Sequence, residues 1–411
     1  MIWRPFTQEK TTPPPVKIVR GEGAYLISES GSKYLDMVSS WFVNVHGHAN
    51  REIAEAIGHQ AKTLEHVIFT KFSHEPAELL VDGLKRILPE KLNRFFFSDN
   101  GSTAVEVALK MAYQYFKNIG KTGRSIFLSM EGGYYGDTFG AMSVSGANSK
   151  YHATFSQLFF KTIMVDVPEC YDGAESTIER EKEIILELEN VLRDVGNGIC
   201  AIILEPLLQG SFGMRLYRSE FLEKLVNKVR EYGILVIFDE VMTGFQRTGK
   251  MFAMDHSTVI PDFICLSKGL TGGFLPLALT VTAEKVYDAF LSDDKRKTFL
   301  HGHSYTANPI SCAAACKSLE ILVRKETATE IEKITKFHKT HRIPRAIKRR
   351  GIGTVTAFDT ESEDRANFVV NKAWENGIFL RPLGKTIYLF PPYCVGVDDL
   401  LKTYDVINAY L

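Results

Sequence analysis

Three short stretches of this 411-residue sequence place chemically capable residues at informative spacing. The first is DFICLSKGLTGGFLPLA (262–278), in which Lys268 follows a short apolar run and precedes a glycine-rich turn. Set among Leu266, Leu270, Phe274 and Leu275, its ammonium is costly to keep charged, and desolvation lowers an amine's pKa toward the nucleophilic form. A Schiff-base lysine needs that property, although a lone lysine after a strand also reads as a surface side chain. The second stretch is GILVIFDEVMTGFQRTGK (233–250), where an apolar run ends in Asp239 and Glu240. Ligands of open α/β sheets bind at the carboxyl ends of strands, where such an acid meets a cofactor or simply solvent. The third is SDNGSTAVEVALKMA (98–112), in which Asn100, Gly101 and Ser102 lead into a helix. Free amides at a helix start, with the helix dipole, form an anion site, yet the same residues also cap ordinary helices. The stretch is neither a GxGxxG dinucleotide pattern nor a Walker loop.

None of the three is decisive alone, but their order is informative. A phosphate-type helix start, then a strand-end acid, then a lysine at the next strand end is the layout of a pyridoxal-phosphate site. That cofactor needs a lysine, a carboxylate on its pyridinium nitrogen and a phosphate cup.

The elements that must position these residues are legible as periodicity. Apolar runs predict strands over 125–130, 163–167, 199–206, 233–241 and 263–267. The runs around Ile202 and Val236 are β-branched and almost wholly apolar, as in a parallel sheet covered on both faces. Helical stripes run through Phe221, Leu222, Leu225, Val226 and Val229, with Gly233 as the stop, and through Val105, Ala108, Leu109 and Ala112. This predicts a layered α/β domain over residues 46–305. Residues 1–45 and 306–411 are expected to pack together as a smaller domain built from strand pieces such as GAYLIS, SKYLDMVS, TVTAFD and TIYLF, the helix ISCAAACKSLEIL and a last helix.

Composition narrows the function classes. The 49 Lys and Arg balance 49 Asp and Glu, which argues against nucleic acid or an anionic membrane as the main partner. No run approaches 18 apolar residues, and MIWRPFTQEK lacks the apolar core of a signal peptide. The six cysteines contain no CxxC and read as reduced core thiols of a cytoplasmic protein.

The passages WRPFTQ (3–8), SSWFVNVHGH (39–48), SDNGSTAVEVALKMA, GYYGDTFGAMSVSG (133–146), LEPLLQG (204–210), DEVMTGFQRTGKMFA (239–253), SKGLTGG (267–273), HGHSYTANP (301–309) and RPLGKTIY (381–388) together resemble class III (subgroup II) aminotransferases of pyridoxal-phosphate fold type I. The resemblance runs essentially end to end. The Asp…Lys pair marks the wider class, whereas GDTFGAMSV with RPLGKTIY is similar to the biotin-pathway branch. The resemblance implies a large, mainly parallel-sheet α/β domain with a small α+β domain from both termini, and pyridoxal 5'-phosphate as cofactor. It implies that Lys268 is the Schiff-base lysine and proton shuttle, that Asp239 pairs with the pyridine nitrogen, and that Gly101 and Ser102 bind phosphate. Tyr134 stacks on the ring and Val241 packs on its opposite face. Gly302, His303 and Ser304 match a segment that reaches phosphate and substrate from a neighbouring subunit, so a homodimer with active sites at its interface is implied. Trp41 and Arg381 match substrate contacts, Arg381 offering a bidentate fork to a carboxylate; Phe6 and Tyr388 line the same pocket.

The implied reaction is a ping-pong amination of 8-amino-7-oxononanoate to 7,8-diaminononanoate, with S-adenosylmethionine ranked ahead of lysine as donor. Relatives using S-adenosylmethionine usually carry Tyr at the position of Phe6 and Trp at that of Phe42, and a missing pocket hydroxyl alters discrimination. Another class III ω-aminotransferase or aminomutase is a second reading, disfavoured by Arg381. A catalytically silent binding subunit is a third, disfavoured by Lys268, Asp239 and Tyr134.

Other residues tempt without carrying chemistry. His46 with His48, and His301 with His303, have the HxH spacing of one strand face but lack partners for zinc, so no metal is expected. Glu205, before Pro206, is expected to hold a hydrogen bond behind the cofactor. Cys312 and Cys316, four apart on a helix, read as small core residues. Lys333, Lys336, Lys339, Arg342, Arg345, Lys348, Arg349 and Arg350 read as a solvated helix face interrupted at Pro344.

Overall fold

A computed structural model describes residues 2–145, 152–174 and 177–411. Of the motif over 133–146, only Gly146 lies outside the described residues. Seven strands form the central sheet: β1 (Leu92–Ser98), β2 (Ile126–Met130), β3 (Thr162–Val165), β4 (Ile199–Leu204), β5 (Leu235–Asp239), β6 (Phe263–Leu266) and β7 (Ala278–Ala283). Their spatial order is β1–β7–β6–β5–β4–β2–β3. Strand β7 runs antiparallel to both of its neighbours, and every other pair is parallel. The five strands expected from apolar runs are all present. The edge strand β1 and the antiparallel β7 lie outside that expectation. In β7, Thr280 and Thr282 break the apolar run, yet their buried hydroxyls donate to Ala104 O (2.7 Å) and Asp262 O (2.9 Å). A paired hydroxyl is cheap to bury, so composition hides the strand.

Alternate residues of each strand feed opposite faces, as the pleat requires. Ile202, Val236 and Ile264 join a cluster with Phe221, Leu225 and Val229 of helix α2 (Ser219–Glu231). Ile203, Ile237 and Cys265 join a second cluster with Val105, Ala108 and Ala112 of helix α1 (Gly101–Asn118). Helices therefore cover both faces, giving three layers. Helix α1 begins at a reciprocal cap: Asn100 Oδ1 accepts from Thr103 N (3.1 Å) and Thr103 Oγ1 accepts from Asn100 N (3.2 Å). Helix α2 stops at Gly233, whose φ of +65° is a left-handed backbone that glycine adopts freely.

The two ends of the chain meet. Strand Lys33–Asp36 pairs in parallel with Ile378–Phe379, and a four-stranded sheet joins Ile347–Ile352, Val355–Asp359, Thr386–Leu389 and Pro382–Leu383 in that order. Leu35 and Met37 share a core with Phe358, Ile387, Leu389 and Tyr404. Between the strand ending at Asp36 and the large sheet lies one turn of left-handed helix, Ser39–Phe42, with φ of +48°, +44°, +75° and +73°. None of the four is glycine, so each costs about 1–2 kcal/mol of backbone strain.

Several local expectations need correction. The basic stretch is not one helix face: the helix is Lys325–Thr340, whereas Lys348, Arg349 and Arg350 sit on the strand Ile347–Ile352. Arg350 forms a buried ion pair with Asp359 (2.8 Å), and Arg349 reaches Asp172. Neither HxH pair lies in a strand: Gly47, at φ +85°, turns the chain between His46 and His48, and 301–303 is irregular. Not all cysteines are core residues, since Cys394 is exposed and Cys170 and Cys316 are half-buried. Among the described residues no helix is long and apolar enough to cross a membrane.

Candidate active site

The register of β5 against β6 sets Asp239 opposite Cys265. Both strands end at the same sheet edge, so the acid and Lys268, three residues past Cys265, arrive together. A cavity of about 540 Å³ opens there, lined by Phe6, Trp41, Gly101, Ser102, Tyr134, Asp239, Val241 and Lys268 among others. Eight residues singled out in the sequence thus converge from separate parts of the chain.

Lys268 stands at φ +47°, a strained backbone that aims a side chain where an ordinary turn does not. Desolvation lowers its pKa, partly opposed by the charges of Asp239 and Glu205. Its Nζ lies 5.1 Å from the centre of the Phe42 ring. Asp239 is buried, and desolvation raises its pKa to about 7, against the opposing hydrogen bond from Val241 N (2.9 Å to Oδ1) and the Lys268 charge. Among the described residues no hydrogen-bond donor meets Oδ2. A desolvated carboxylate with one unmet oxygen on a cavity is what a protonated pyridine nitrogen requires.

The anion cradle is equally defined. The helix and its Asn100 cap leave the Gly101 and Ser102 amides at the start of α1 unspent, and both residues line the cavity. A Cβ at Gly101 would stand 2.7 Å from Val241 Cγ1, and one at Gly136 would stand 1.9 Å from Ser102 Oγ. Both glycines are therefore required for Ser102 and Val241 to occupy their places. Tyr134 is held from both ends, its N–H donating to Glu205 Oε2 (3.2 Å) and its hydroxyl to Asp137 Oδ2 (2.9 Å). Asp137 also meets His152 Nε2 at 3.1 Å. A lysine, a carboxylate, an amide cradle and an aromatic ring around one cavity fit pyridoxal phosphate.

Glu205 is a second acid on the cavity wall. It follows β4 and accepts from Gly210 N (2.9 Å) as well as Tyr134 N, with its pKa raised to about 8, first by desolvation. Glu240, adjacent to Asp239, serves a different end. It is buried, accepts from Thr243 Oγ1 (2.6 Å), Ala253 N (2.9 Å) and Met254 N (2.8 Å), and fixes the loop after β5.

Other expected residues lie outside the cavity lining of a single chain. Arg381 stacks on Trp41 at 4.3 Å, and Trp41 in turn lies 5.6 Å from Phe6. Tyr388 is buried behind Phe42, 5.7 Å from its ring. Gly302, His303 and Ser304 form an irregular segment closed by Thr306, whose hydroxyl donates to His303 O (2.8 Å). His303 Nε2 is buried there without a partner among the described residues. Lining residues that sequence reasoning passed over include Gly136, Gly210, Met242 and Thr271; their signal lay in motifs already noted, GYYGDT, LEPLLQG, DEVMTGFQRTGKMFA and SKGLTGG.

Comparison with known proteins agrees with this geometry. The family model for class III aminotransferases matches residues 6–411. A Synechococcus elongatus protein named adenosylmethionine-8-amino-7-oxononanoate aminotransferase is 48% identical over 100% of this chain and 98% of its own length. A Geobacter sulfurreducens protein of the same name is 38% identical over 97% and 93%. The crystal structure of the enzyme so named from Methanocaldococcus jannaschii has a TM-score of 0.91 at 36% identity, covering 100% of this chain and 96% of that one. A PLP-bound amine transaminase from an uncultivated Pseudomonas species has a TM-score of 0.90 at 29% identity, covering 100% and 98%. With a desolvated lysine, a strand-end carboxylate and an amide cradle on one cavity, the chain belongs to the class III aminotransferases, pyridoxal-phosphate-dependent transaminases of fold type I.

Proposed function

We propose that this transaminase aminates 8-amino-7-oxononanoate to 7,8-diaminononanoate in biotin synthesis. The observation that carries the reading is the 48% identity, over the whole chain, to a relative bearing that enzyme's name. S-adenosylmethionine is the proposed donor, as in that name. Lysine is the second reading, favoured by the missing hydroxyl at Phe6 on the cavity wall.

Bound pyridoxal phosphate supplies an electron sink for the substrate Cα–H electrons. Lys268 Nζ holds the cofactor, then takes the Cα proton and returns it, a role suited to an amine with a lowered pKa. Asp239 keeps the ring nitrogen protonated, while Gly101 and Ser102 hold the phosphate at the α1 start. Tyr134 and Val241 confine the ring between them, and Tyr134 also faces the substrate. Trp41, Phe6 and Tyr388 shape the substrate pocket, and Arg381, stacked on Trp41, receives the keto acid's carboxylate.

The chain works as a cytoplasmic homodimer, in which Gly302, His303 and Ser304 complete the partner's site. Exposed Leu300 and Tyr305, 82% and 66% accessible, flank that segment and support the reading. Residues 46–305 act as the cofactor domain, and 1–45 with 306–411 as the smaller one; the core that Leu35 and Met37 share with residues 334–411 supports this division, whereas the helix Pro309–Leu322 packs on the central core through Cys312, Ala315, Leu319 and Leu322.

The test is direct: purified protein is given 8-amino-7-oxononanoate with S-adenosylmethionine or with lysine, and diamine is quantified by mass spectrometry. Product with S-adenosylmethionine in excess of that with lysine is expected. Absence of product with both donors would overturn the substrate assignment.

A further inference from the structure

We propose that Asp36 is a positioning residue that holds the left-handed turn Ser39–Phe42, and through it sets the aromatic wall against which substrate binds. The turn closes with Phe42 N donating to Val38 O (3.0 Å) and Val43 N to Ser39 O (2.9 Å), so it is one full helical turn of the disfavoured hand. Its second half, Trp41 and Phe42, lines the cavity. Four consecutive non-glycine residues in this conformation persist only where the surroundings dictate them, and such strain gathers at functional sites.

The dictating group is a carboxylate. Asp36 is fully buried at the end of its strand, anchored by its own amide to Ala24 O (2.8 Å). Its Oδ1 accepts from Val38 N (3.1 Å), and its Oδ2 accepts from Ser40 Oγ (2.7 Å) and His48 Nε2 (2.9 Å). The Asn44 amide nitrogen lies 3.1 Å from His48 Nδ1. It is a donor, so Nδ1 accepts and the ring proton sits on Nε2, facing Asp36. All three partners of Asp36 are therefore donors, and only an acceptor-only side chain satisfies them. From the other side Ser39 Oγ donates to Phe390 O (2.7 Å), and Phe42 packs 4.7 Å from the Phe390 ring. Asp36 thus ties the sheet of the chain termini to the cavity wall without touching the cavity.

The inference rests on transaminase activity, not on the substrate assignment. Asp36→Asn replaces one acceptor oxygen by an amide that donates, set against either Val38 N or His48 Nε2, both of them donors. With at least one hydrogen bond lost, the KM for the second substrate is expected to rise by about fivefold to tenfold, while kcat and the cofactor absorbance band stay near native. Adding Ser40→Gly, which takes a φ of +44° without strain, is expected to bring KM back toward native. In the cofactor-free protein, the near-ultraviolet circular dichroism of Trp41 should shift in the single variant and return in the double one. An unchanged KM in folded Asp36→Asn, or no rescue by glycine, overturns the proposal. Should Asp36→Asn fail to fold, Ser40→Ala decides: a rise in KM of about threefold upholds it, and native KM overturns it. The substrates are 8-amino-7-oxononanoate with S-adenosylmethionine or lysine. If the native protein rejects both pairs, the substrate assignment fails alone, and the variants are compared on an aliphatic amine by loss of cofactor absorbance.

Discussion

At Lys268 two demands meet: the amine must be nucleophilic near neutral pH, and it must face a cavity at a sheet edge. Burial meets the first, and the left-handed backbone at φ +47° meets the second. Lys268→Ala should abolish turnover while leaving the circular dichroism native; multiple turnover by the variant would refute the lysine's role. Arg381→Ala removes a charged fork from the wall beside Trp41. The KM for the keto acid should rise by about tenfold or more with the donor KM little changed, and equal losses in both half-reactions would count against the carboxylate assignment. Glu205 gives a prediction in pH. Its folded pKa of about 8 lies above the ordinary carboxylate value of 4.5, so between those values the folded state binds the extra proton. Stability of the cofactor-free protein from this group is present below the lower value and lost as pH rises through the upper one. Thermal melts of Glu205→Gln should show a shallower fall between those values, by at most about 1.4 kcal/mol per pH unit; parallel curves would mean that Glu205 is ionised throughout.

At the scale of elements, the site depends on strand register and on glycines where elements nearly touch. The opposition of Asp239 to Cys265 brings acid and lysine to one edge. Gly136 lets the loop after β2 pass over the first turn of α1, because a Cβ there would strike Ser102 Oγ. Gly136→Ala should weaken cofactor retention, measured by dialysis and absorbance, and destabilise the fold by about 1–3 kcal/mol. Retention of cofactor with a native melting temperature would show that the cradle tolerates more than the geometry allows. Most of these elements could be read from periodicity: α1, α2 and β2 to β6 follow from apolar spacing. What escaped were the edge strand β1, β7, whose threonines are paired internally, and the left-handed turn, since neither serine nor tryptophan advertises positive φ.

For the whole molecule, the cavity draws on the N-terminal end and the middle of the chain, Arg381 and Tyr388 stand behind its aromatic wall, and the proposed assembly brings a second copy to it. Leu300 and Tyr305, both strongly exposed, flank the segment that carries Gly302, His303 and Ser304. Replacing both by Asp should convert dimer to monomer in sedimentation velocity and remove activity together with it. An active monomer would place that segment outside the site.

The sequence alone determined the sheet order of the chemistry: an anion-binding helix start, a strand-end acid and a lysine after the next strand, because burial periodicity and residue type are local properties. It also determined the family, since Lys268, Asp239, Gly101 and Ser102 recur in motifs spread from end to end. The resemblance had singled out Asp239, and tertiary structure supplied the physical reason that it, and not the adjacent acid, serves the cavity. Asp239 and Glu240 are indistinguishable as a pair of strand-end carboxylates, but the pleat turns one to the cavity and the other to the loop amides of Ala253 and Met254. It also decided where Trp41 and Phe42 stand. Their backbone is of the unfavoured hand, and what holds it is a buried carboxylate and the distant backbone of Phe390 rather than any preference of their own.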